Sequence, residues 1–312
     1  MKTMKLINIL ITLFLLLGCV SNDGAGGEAK EEIKSNSLFL FTKNKALEIV
    51  KNGFSTGDKY EEARMFEELE AFSFVQLCDP QLGMGGYEHD KATFKQAVRQ
   101  INALDVDFVA ICGDFVHHTS DSSFQDYIEI RNGLKVPYYE VPGNHDIGRV
   151  PNDTTLAAYR SLFGKDYYEM MHKDMRFIFV NTLLWKTDIG KESSMHDDWF
   201  RSTLQKSEGK NRAIVVGHFP IFLKDPGEEE TYFNLPPEKR EELLQLFKEN
   251  NVVAYLSGHK HELIMHNYEG IQLVTGESTA KNFDKRPFGF RKWKVYEDTV
   301  IHRFVALDIP RN

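Results

Sequence analysis

The chain has 312 residues, 42% of them hydrophobic, and a formal net charge of −8. Such a length and content support one large α/β domain with decorations or two small ones and exclude a chain disordered throughout. The acidic balance argues against a general nucleic-acid binder, which needs a basic face to displace counterions, but leaves room for a small phosphorylated substrate held through metal ions.

The first residues read as a targeting segment. Lys2 and Lys5 precede an apolar run, Leu6 to Leu17, that is short for a membrane span, and Gly18-Cys19 follows at once. The ending Leu16-Leu17-Gly18-Cys19 resembles a bacterial lipobox. Residues 1–19 are therefore expected to be a lipoprotein signal peptide, with Cys19 lipidated and the protein exported across the inner membrane and held at the cell envelope. An ordinary cleaved signal with a chance cysteine is the plainer alternative. Residues 20–36 are rich in Gly, Ser and charge and read as a flexible tether. Residues 37–70 carry a weak helical period, through Ala46, Leu47, Ile49 and Val50 and again through Tyr60, Ala63, Met65, Phe66 and Leu69, and suggest a helical extension.

From residue 71 to 312 strands and helices alternate. Phe72 to Leu77 reads as a buried strand ending at Asp79-Pro80-Gln81, a helix is expected over about 90–104, and Phe108 to Ile111 is a strand ending at Gly113-Asp114. A helix near 124–134 precedes the strand from Tyr138, which stops at Pro142-Gly143 and delivers Asn144, His145 and Asp146 into a turn. A helix near 155–163 follows, then a hairpin over 167–171 and 175–181 and a helix over 197–205. Ala213 to Val216 ends at Gly217-His218, Pro237 starts a helix to about Asn250, and Val252 to Leu256 ends at Gly258-His259-Lys260-His261. The remainder, 263–309, alternates as several strands. Of the remaining cysteines, Cys78 and Cys112 sit in buried strands, where a small thiol packs well; a bond between them is compatible with an oxidising compartment but not required.

Five strand ends thus carry side chains able to bind metal. In α/β folds the carboxyl ends of parallel strands form the ligand-binding edge, so groups spread over the chain can meet there. The residue types suit a pair of divalent cations. Asp114 can bridge them, with Asp79, Gln81 and His261 on one and Asn144, His218 and His259 on the other. Mixed nitrogen and oxygen donors suit Mn, Fe, Zn, Co or Ni. His145 is left to protonate a leaving oxygen, with Asp146 or His117 to orient it. Arg149, Tyr87, Phe115, Phe219, Phe222 and Lys260 adjoin these motifs as candidates for the pocket rim. The acidic run 225–230 reads as a solvated loop.

The ordered set Asp79-x-Gln81, Gly113-Asp114, Gly143-Asn144-His145-Asp146, Gly217-His218 and Gly258-His259-x-His261 resembles the signature of the calcineurin-like metallophosphoesterases. The resemblance covers roughly residue 71 to the C-terminus. It implies a four-layer αββα sandwich with two mixed β-sheets, a dinuclear metal centre with the ligands assigned above, and hydrolysis of phosphate esters. Cys78-Asp79-Pro80-Gln81-Leu82-Gly83, Cys112-Gly113-Asp114-Phe115-Val116-His117 and Tyr232-Phe233-Asn234-Leu235 are similar to a narrower branch that includes an animal serine/threonine protein phosphatase. Gln81 stands where many members of the wider family have His, and His117 where many have Asp. A phosphodiesterase acting on nucleotides or lipids, or a surface lipoprotein that binds phosphate without turnover, are the alternatives.

Overall fold

Strands that are apolar on both faces decide the architecture, because each face must be covered by something. The computed structural model describes residues 72–206 and 211–309, so the signal segment, Cys19, the tether and the helical extension lie outside the described residues. Strands β1 (Phe72–Leu77), β2 (Phe108–Ile111) and β3 (Tyr138–Glu140) run parallel and are completed by antiparallel β10 (Gly289–Val295) and β11 (Val300–Ala306), in the order β11-β10-β1-β2-β3. The second sheet runs β4-β5-β6-β7-β9-β8. Its members are β4 (Tyr168–His172), β5 (Met175–Phe179), β6 (Ala213–Val216), β7 (Val252–Ser257), β8 (Ile264–Tyr268) and β9 (Ile271–Thr275), with β5, β6, β7 and β9 parallel and the two outer strands antiparallel. Both sheets are mixed.

Alternation along each strand divides the core in two. Phe72 and Phe74 of β1, Phe108 and Ala110 of β2, Phe177 and Phe179 of β5, Ile214 and Val216 of β6, and Ala254 and Leu256 of β7 share one buried cluster with Trp293. This cluster is the seam between the sheets. Phe74 stacks on Phe108 at 5.1 Å and on Trp293 at 5.8 Å, and meets Phe177 of the other sheet edge-on at 5.1 Å. The intervening residues, Val75, Leu77, Val109, Ile111, Ile178 and Val215, turn the other way and join the apolar sides of the helices. The layers are helix, sheet, sheet, helix.

The helices are α1 (Tyr87–Ile101), α2 (Asp121–Arg131), α3 (Asn144–Ile147), α4 (Asp153–Phe163), α5 (Leu183–Lys186), α6 (Lys191–Gln205) and α7 (Pro237–Glu249). Helices α2 and α4 start earlier than hydrophobic periodicity suggests, because polar caps rather than apolar residues set their first turns. Ser120 caps α2 by accepting from the Ser123 amide, so the polar residues 121–123 form its first turn rather than a loop. Asn152 caps α4 through the amides of Thr154 and Thr155. The single-turn helices α3 and α5 are too short to show a period at all.

Candidate metal centre

Parallel pairing puts the candidate ligands side by side. Leu77 of β1 faces Ile111 of β2, so Asp79 and Asp114 emerge from neighbouring strand ends, and the Gln81 amide donates to the Asp114 carbonyl at 2.9 Å. In the second sheet Val216 pairs with Leu256, which brings His218 beside the turn holding His259 and His261. Asp79, Gln81, Asp114, Asn144, His218, His259 and His261 are all buried. The carboxylate and imidazole atoms fall into two groups, Asp114 with His218 and His259, and Asp79 with Asp114 and His261, each with its atoms within 4.8 Å of one another. Asp114 belongs to both.

The backbone is bent to achieve this. Asp79 (φ 46°), Gln81 (27°), Asp114 (52°), His259 (69°) and His261 (55°) all adopt left-handed conformations, which non-glycine residues rarely take. Two glycines make the approach possible. A β-carbon on Gly143 would lie 2.1 Å from Asp114 Oδ1, and one on Gly258 would lie 2.4 Å from Asp79 Oδ2. No side chain fits there.

Hydrogen bonds then aim each donor. His218 Nδ1 lies 2.7 Å from the Cys112 carbonyl, so it carries the proton and Nε2 is the free ligand atom, 3.4 Å from Asp114 Oδ1. His261 Nδ1 is fixed in the same way by the Lys281 carbonyl at 2.7 Å, which frees Nε2. His259 is reversed: its Nε2 donates to the Tyr232 carbonyl at 3.2 Å, while Nδ1 is buried without a hydrogen-bond partner. Gln81 Nε2 donates to Asp114 Oδ2 at 3.1 Å, leaving its Oε1 buried and unpartnered. Asn144 Nδ2 donates to the Tyr232 hydroxyl at 3.0 Å, turning Oδ1 toward His218 Nε2 at 3.2 Å. Orphaned buried acceptors are costly unless something electropositive meets them, so the unpartnered Gln81 Oε1 and His259 Nδ1 fit a cation-binding role.

The electrostatics agree. Burial works against the charge on Asp114, but the adjacent His218, with further help from His145 and His259, holds its carboxyl well below the usual carboxylate range. Burial by itself would depress His218, yet Asp114 and Asp79 raise it to about 9. Asp79 is pushed up by burial, partly offset by His261 and His218. Two buried carboxylates that draw a proton onto a buried imidazole form a cluster in want of positive charge. Two divalent cations held by these residues would supply it.

The residues assigned to acid–base roles are placed differently from one another. His145 is half-buried, and its amide donates to Asp114 Oδ1 at 2.9 Å. Its Nδ1 meets the His117 carbonyl at 2.7 Å, and the His117 ring stacks on it at 4.8 Å. The orienting group is thus the His117 backbone. Asp146 was expected as an alternative, but its carboxylate instead accepts from the amides of Gly143 and Phe115, both at 2.8 Å, and ties two strand-end loops together. Burial and the nearby Asp114 raise its pKa well above the usual range.

The expected rim residues divide. Phe115 is a correction: fully buried, it stacks on Tyr127 at 4.4 Å and packs on Phe163 in the core, because the strand-end turn directs only Asp114 to the site. Phe219 is also buried and packs under His259, with ring centroids 4.0 Å apart. Phe222 is buried against His266. The Tyr87 hydroxyl donates to Asp126 at 2.8 Å. Lys260 pairs with Glu262 at 2.8 Å and lies over the Phe233 ring. Arg149 is exposed, with its guanidinium 4.8 Å from the centre of the Tyr232 ring. Cys78 and Cys112 are free thiols.

The acidic run 225–230 is not simply a solvated loop. Glu228 accepts from the amides of Leu223 and Lys224 at 2.7 and 2.9 Å and from Asn234 Nδ2 at 2.6 Å. Arg240, wholly buried, donates to the carbonyls of Pro226, Glu228 and Leu235. Tyr232 emerges from this loop beside the site. A tyrosine in an acidic loop carries no local signal of its contacts, so nothing in the motif Tyr232-Phe233-Asn234-Leu235 assigns Tyr232 a role. A cavity of about 620 Å³ elsewhere is lined by Arg160, Asp166, Glu192 and Trp199 among others and by none of the convergent groups, and its Arg160 is paired with Asp166 and Glu192.

Known proteins agree with this geometry. The family model "Calcineurin-like phosphoesterase" matches residues 72–263. The serine/threonine-protein phosphatase CPPED1 of Danio rerio is 32% identical over 263 residues, covering 76% of this chain and 85% of that one, and CPPED1 of Bos taurus is 28% identical over 279 residues, covering 81% and 89%. The crystal structure of a dimetal phosphatase from Danio rerio superposes with a TM-score of 0.60 at 16% identity, covering 75% of this chain and 96% of that one. The two mixed sheets, the convergent Asp and His groups and the matched segment together place the chain in the calcineurin-like phosphoesterase family, as a metal-dependent phosphoric ester hydrolase.

Proposed function

We propose that the enzyme is a phosphomonoesterase of the protein-phosphatase type, held at the cell envelope through a lipid on Cys19. Asp79, Gln81 Oε1 and His261 Nε2 would hold one divalent cation, Asn144 Oδ1, His218 Nε2 and His259 Nδ1 the other, and Asp114 both. When bound, the two cations supply Lewis acidity to the phosphoryl oxygens and acidify the attacking water. The orphaned Gln81 Oε1 and His259 Nδ1, each in a separate set, carry this reading.

His145 is the proposed general acid. The His117 carbonyl at 2.7 Å keeps a proton on Nδ1, so the ring gives up the proton on Nε2 and is left in its hydrogen-bonded tautomer. The Asp114 carboxylate on the His145 amide keeps the donor in register with the metal ligands. The exposed Arg149 guanidinium, carried on Tyr232, adds positive charge beyond the ligands, which suits the dianion of a monoester better than the monoanion of a diester. Names of the CPPED1 relatives support a phosphoprotein-like substrate. The basic, apolar start ending at Cys19 supports the lipid anchor.

The test is hydrolysis of p-nitrophenyl phosphate, phenyl phosphate and bis-p-nitrophenyl phosphate by metal-reloaded protein and by His145→Ala. Monoester preference is expected, with the variant losing far more rate on phenyl phosphate, whose leaving group needs the proton, than on p-nitrophenyl phosphate. Preference for the diester would overturn the substrate class, and equal losses on both monoesters would remove His145 as the acid.

A further inference from the structure

Tyr232 makes two separate hydrogen bonds to the ligand set of one cation and none to Asp79, Gln81 or His261. Its hydroxyl accepts from Asn144 Nδ2 at 3.0 Å, which leaves Asn144 Oδ1 as the ligand atom. Its carbonyl accepts from His259 Nε2 at 3.2 Å, which leaves His259 Nδ1 as the ligand atom. Its ring also packs on His259, with centroids 5.0 Å apart. Asp79, Gln81 and His261 are held instead by the His259 amide, by Asp114 Oδ2 and by the Lys281 carbonyl.

The loop carrying Tyr232 is fastened from beneath. Lys186 Nζ donates to the carbonyls of Thr231 at 2.6 Å and Asn234 at 2.7 Å, bracketing Tyr232, and pairs with Glu230 at 2.6 Å. Glu228 and the buried Arg240 hold the preceding residues. Tyr232 itself is 39% exposed, so it stands at the mouth of the site and is not supported by burial. The fastenings set its position.

We propose that Tyr232 is a positioning residue for one metal site only, and that residues 223–235 form a strap that sets the affinity of that cation independently of the other. The inference rests on the ligand assignment proposed above. Hydrogen-bond partners of metal ligands are worth about 10- to 100-fold in metal affinity. Loss of the Tyr232 hydroxyl lets the Asn144 amide rotate, and a loosened strap releases His259 Nε2 as well. A two-metal enzyme would then become a one-metal protein at limiting metal.

The experiment titrates the metal-free full-length protein with Mn²⁺, following binding by calorimetry and by electron paramagnetic resonance, in which a close Mn pair gives an exchange-coupled spectrum and a single Mn the uncoupled six-line one. Tyr232→Phe should weaken one site about 10-fold or more, leave the other unchanged, and show the six-line spectrum at metal levels where the wild type is coupled. Lys186→Met, which touches no ligand, should move the same site in the same direction. In Gln81→Ala the remaining tight site should be the one that Tyr232→Phe weakens, so the double variant should retain no tight site. Equal weakening of both sites in Tyr232→Phe, or no change in either, with the wild type coupled, would overturn the role of Tyr232 while leaving the ligand assignment standing. A wild type that never shows a coupled pair would overturn the assignment itself, and the strap with it.

Discussion

The two ligand sets are fastened by different means. Asp79, Gln81 and His261 all sit at positive φ, and their partners come from the turns at the strand ends themselves: the His259 amide meets the Asp79 carboxylate at 3.0 and 3.1 Å, Ser278 Oγ donates to the Asp79 carbonyl at 2.7 Å, the Gln81 main-chain amide donates to the Asp114 carbonyl at 2.9 Å, and the Lys281 carbonyl holds His261 Nδ1 at 2.7 Å. In the other set only His259 has positive φ; Asn144 opens a helical turn, and the Tyr232 loop supports both. One set is therefore built into the fold and stores backbone strain. In the other, His218 is held by the Cys112 carbonyl, while Asn144 and His259 are aimed by the Tyr232 loop. Damage to the first should cost stability along with metal, and damage to the second should cost metal alone.

The harshest way to break the contrast is at the residue common to both sets. In Asp114→Asn one carboxylate oxygen becomes an amide nitrogen, facing either the His145 main-chain amide or Gln81 Nε2, both of which are donors. Turnover on p-nitrophenyl phosphate should fall by roughly 10²- to 10³-fold or more, and metal analysis should show both sites weakened. Loss of a single metal would show that Asp114 does not bridge.

Gly258→Ala sharpens the contrast at the strained set. Its new methyl group must displace the Asp79 carboxylate from a fully buried position, and Asp79 has no room to yield. Destabilisation of about 1 to 3 kcal/mol is expected in urea melts of the metal-free protein, alongside weakened binding at the Asp79 site. Tyr232→Phe should leave the same melts unchanged. If Gly258→Ala melts like wild type, the strained set is not part of the fold's stability.

How much of this could be read from the sequence follows the same division. β1, β2 and β6 are legible residue for residue because strands buried on both faces are short, largely apolar runs, interrupted in β1 only by Ser73 and Gln76, and their ends are marked by Gly-Asp, Gly-His or Asp-Pro. The candidate ligands are legible for the same reason, since each follows such a run. The supports are not. The carbonyls of Cys112, His117 and Lys281 carry no side-chain signature, and Tyr232 reaches Asn144 across 88 residues of sequence. Phe115 was misplaced because proximity in sequence to a ligand does not say which way a side chain points from a turn; it points into the aromatic core. His196, which no motif singles out, lies fully buried between Tyr167 and Trp185 with both ring nitrogens unpartnered.

His196 supplies the mildest prediction, a change in pH dependence remote from both ligand sets. Burial pulls it from an ordinary 6.5 to about 3, with a small contribution from Lys239. Between those values the unfolded chain binds a proton that the folded protein does not, so stability is fully present above pH 6.5 and falls as pH drops toward 3. From pH 6.5 to 5.0 this group can cost at most about 2 kcal/mol. His302, lowered to about 4 by burial and by Arg291, acts in the same direction and is common to both proteins compared. His196→Phe keeps a ring among Tyr167, Trp185 and Trp199 and has nothing to protonate. Urea midpoints at pH 7.5 and 5.0 should therefore fall less in the variant than in the wild type, while metal stoichiometry at pH 7.5 stays at the wild-type value. Equal falls would mean that His196 gains a proton without unfolding, through an opening of the Tyr167–Trp199 wall that lets water reach the ring.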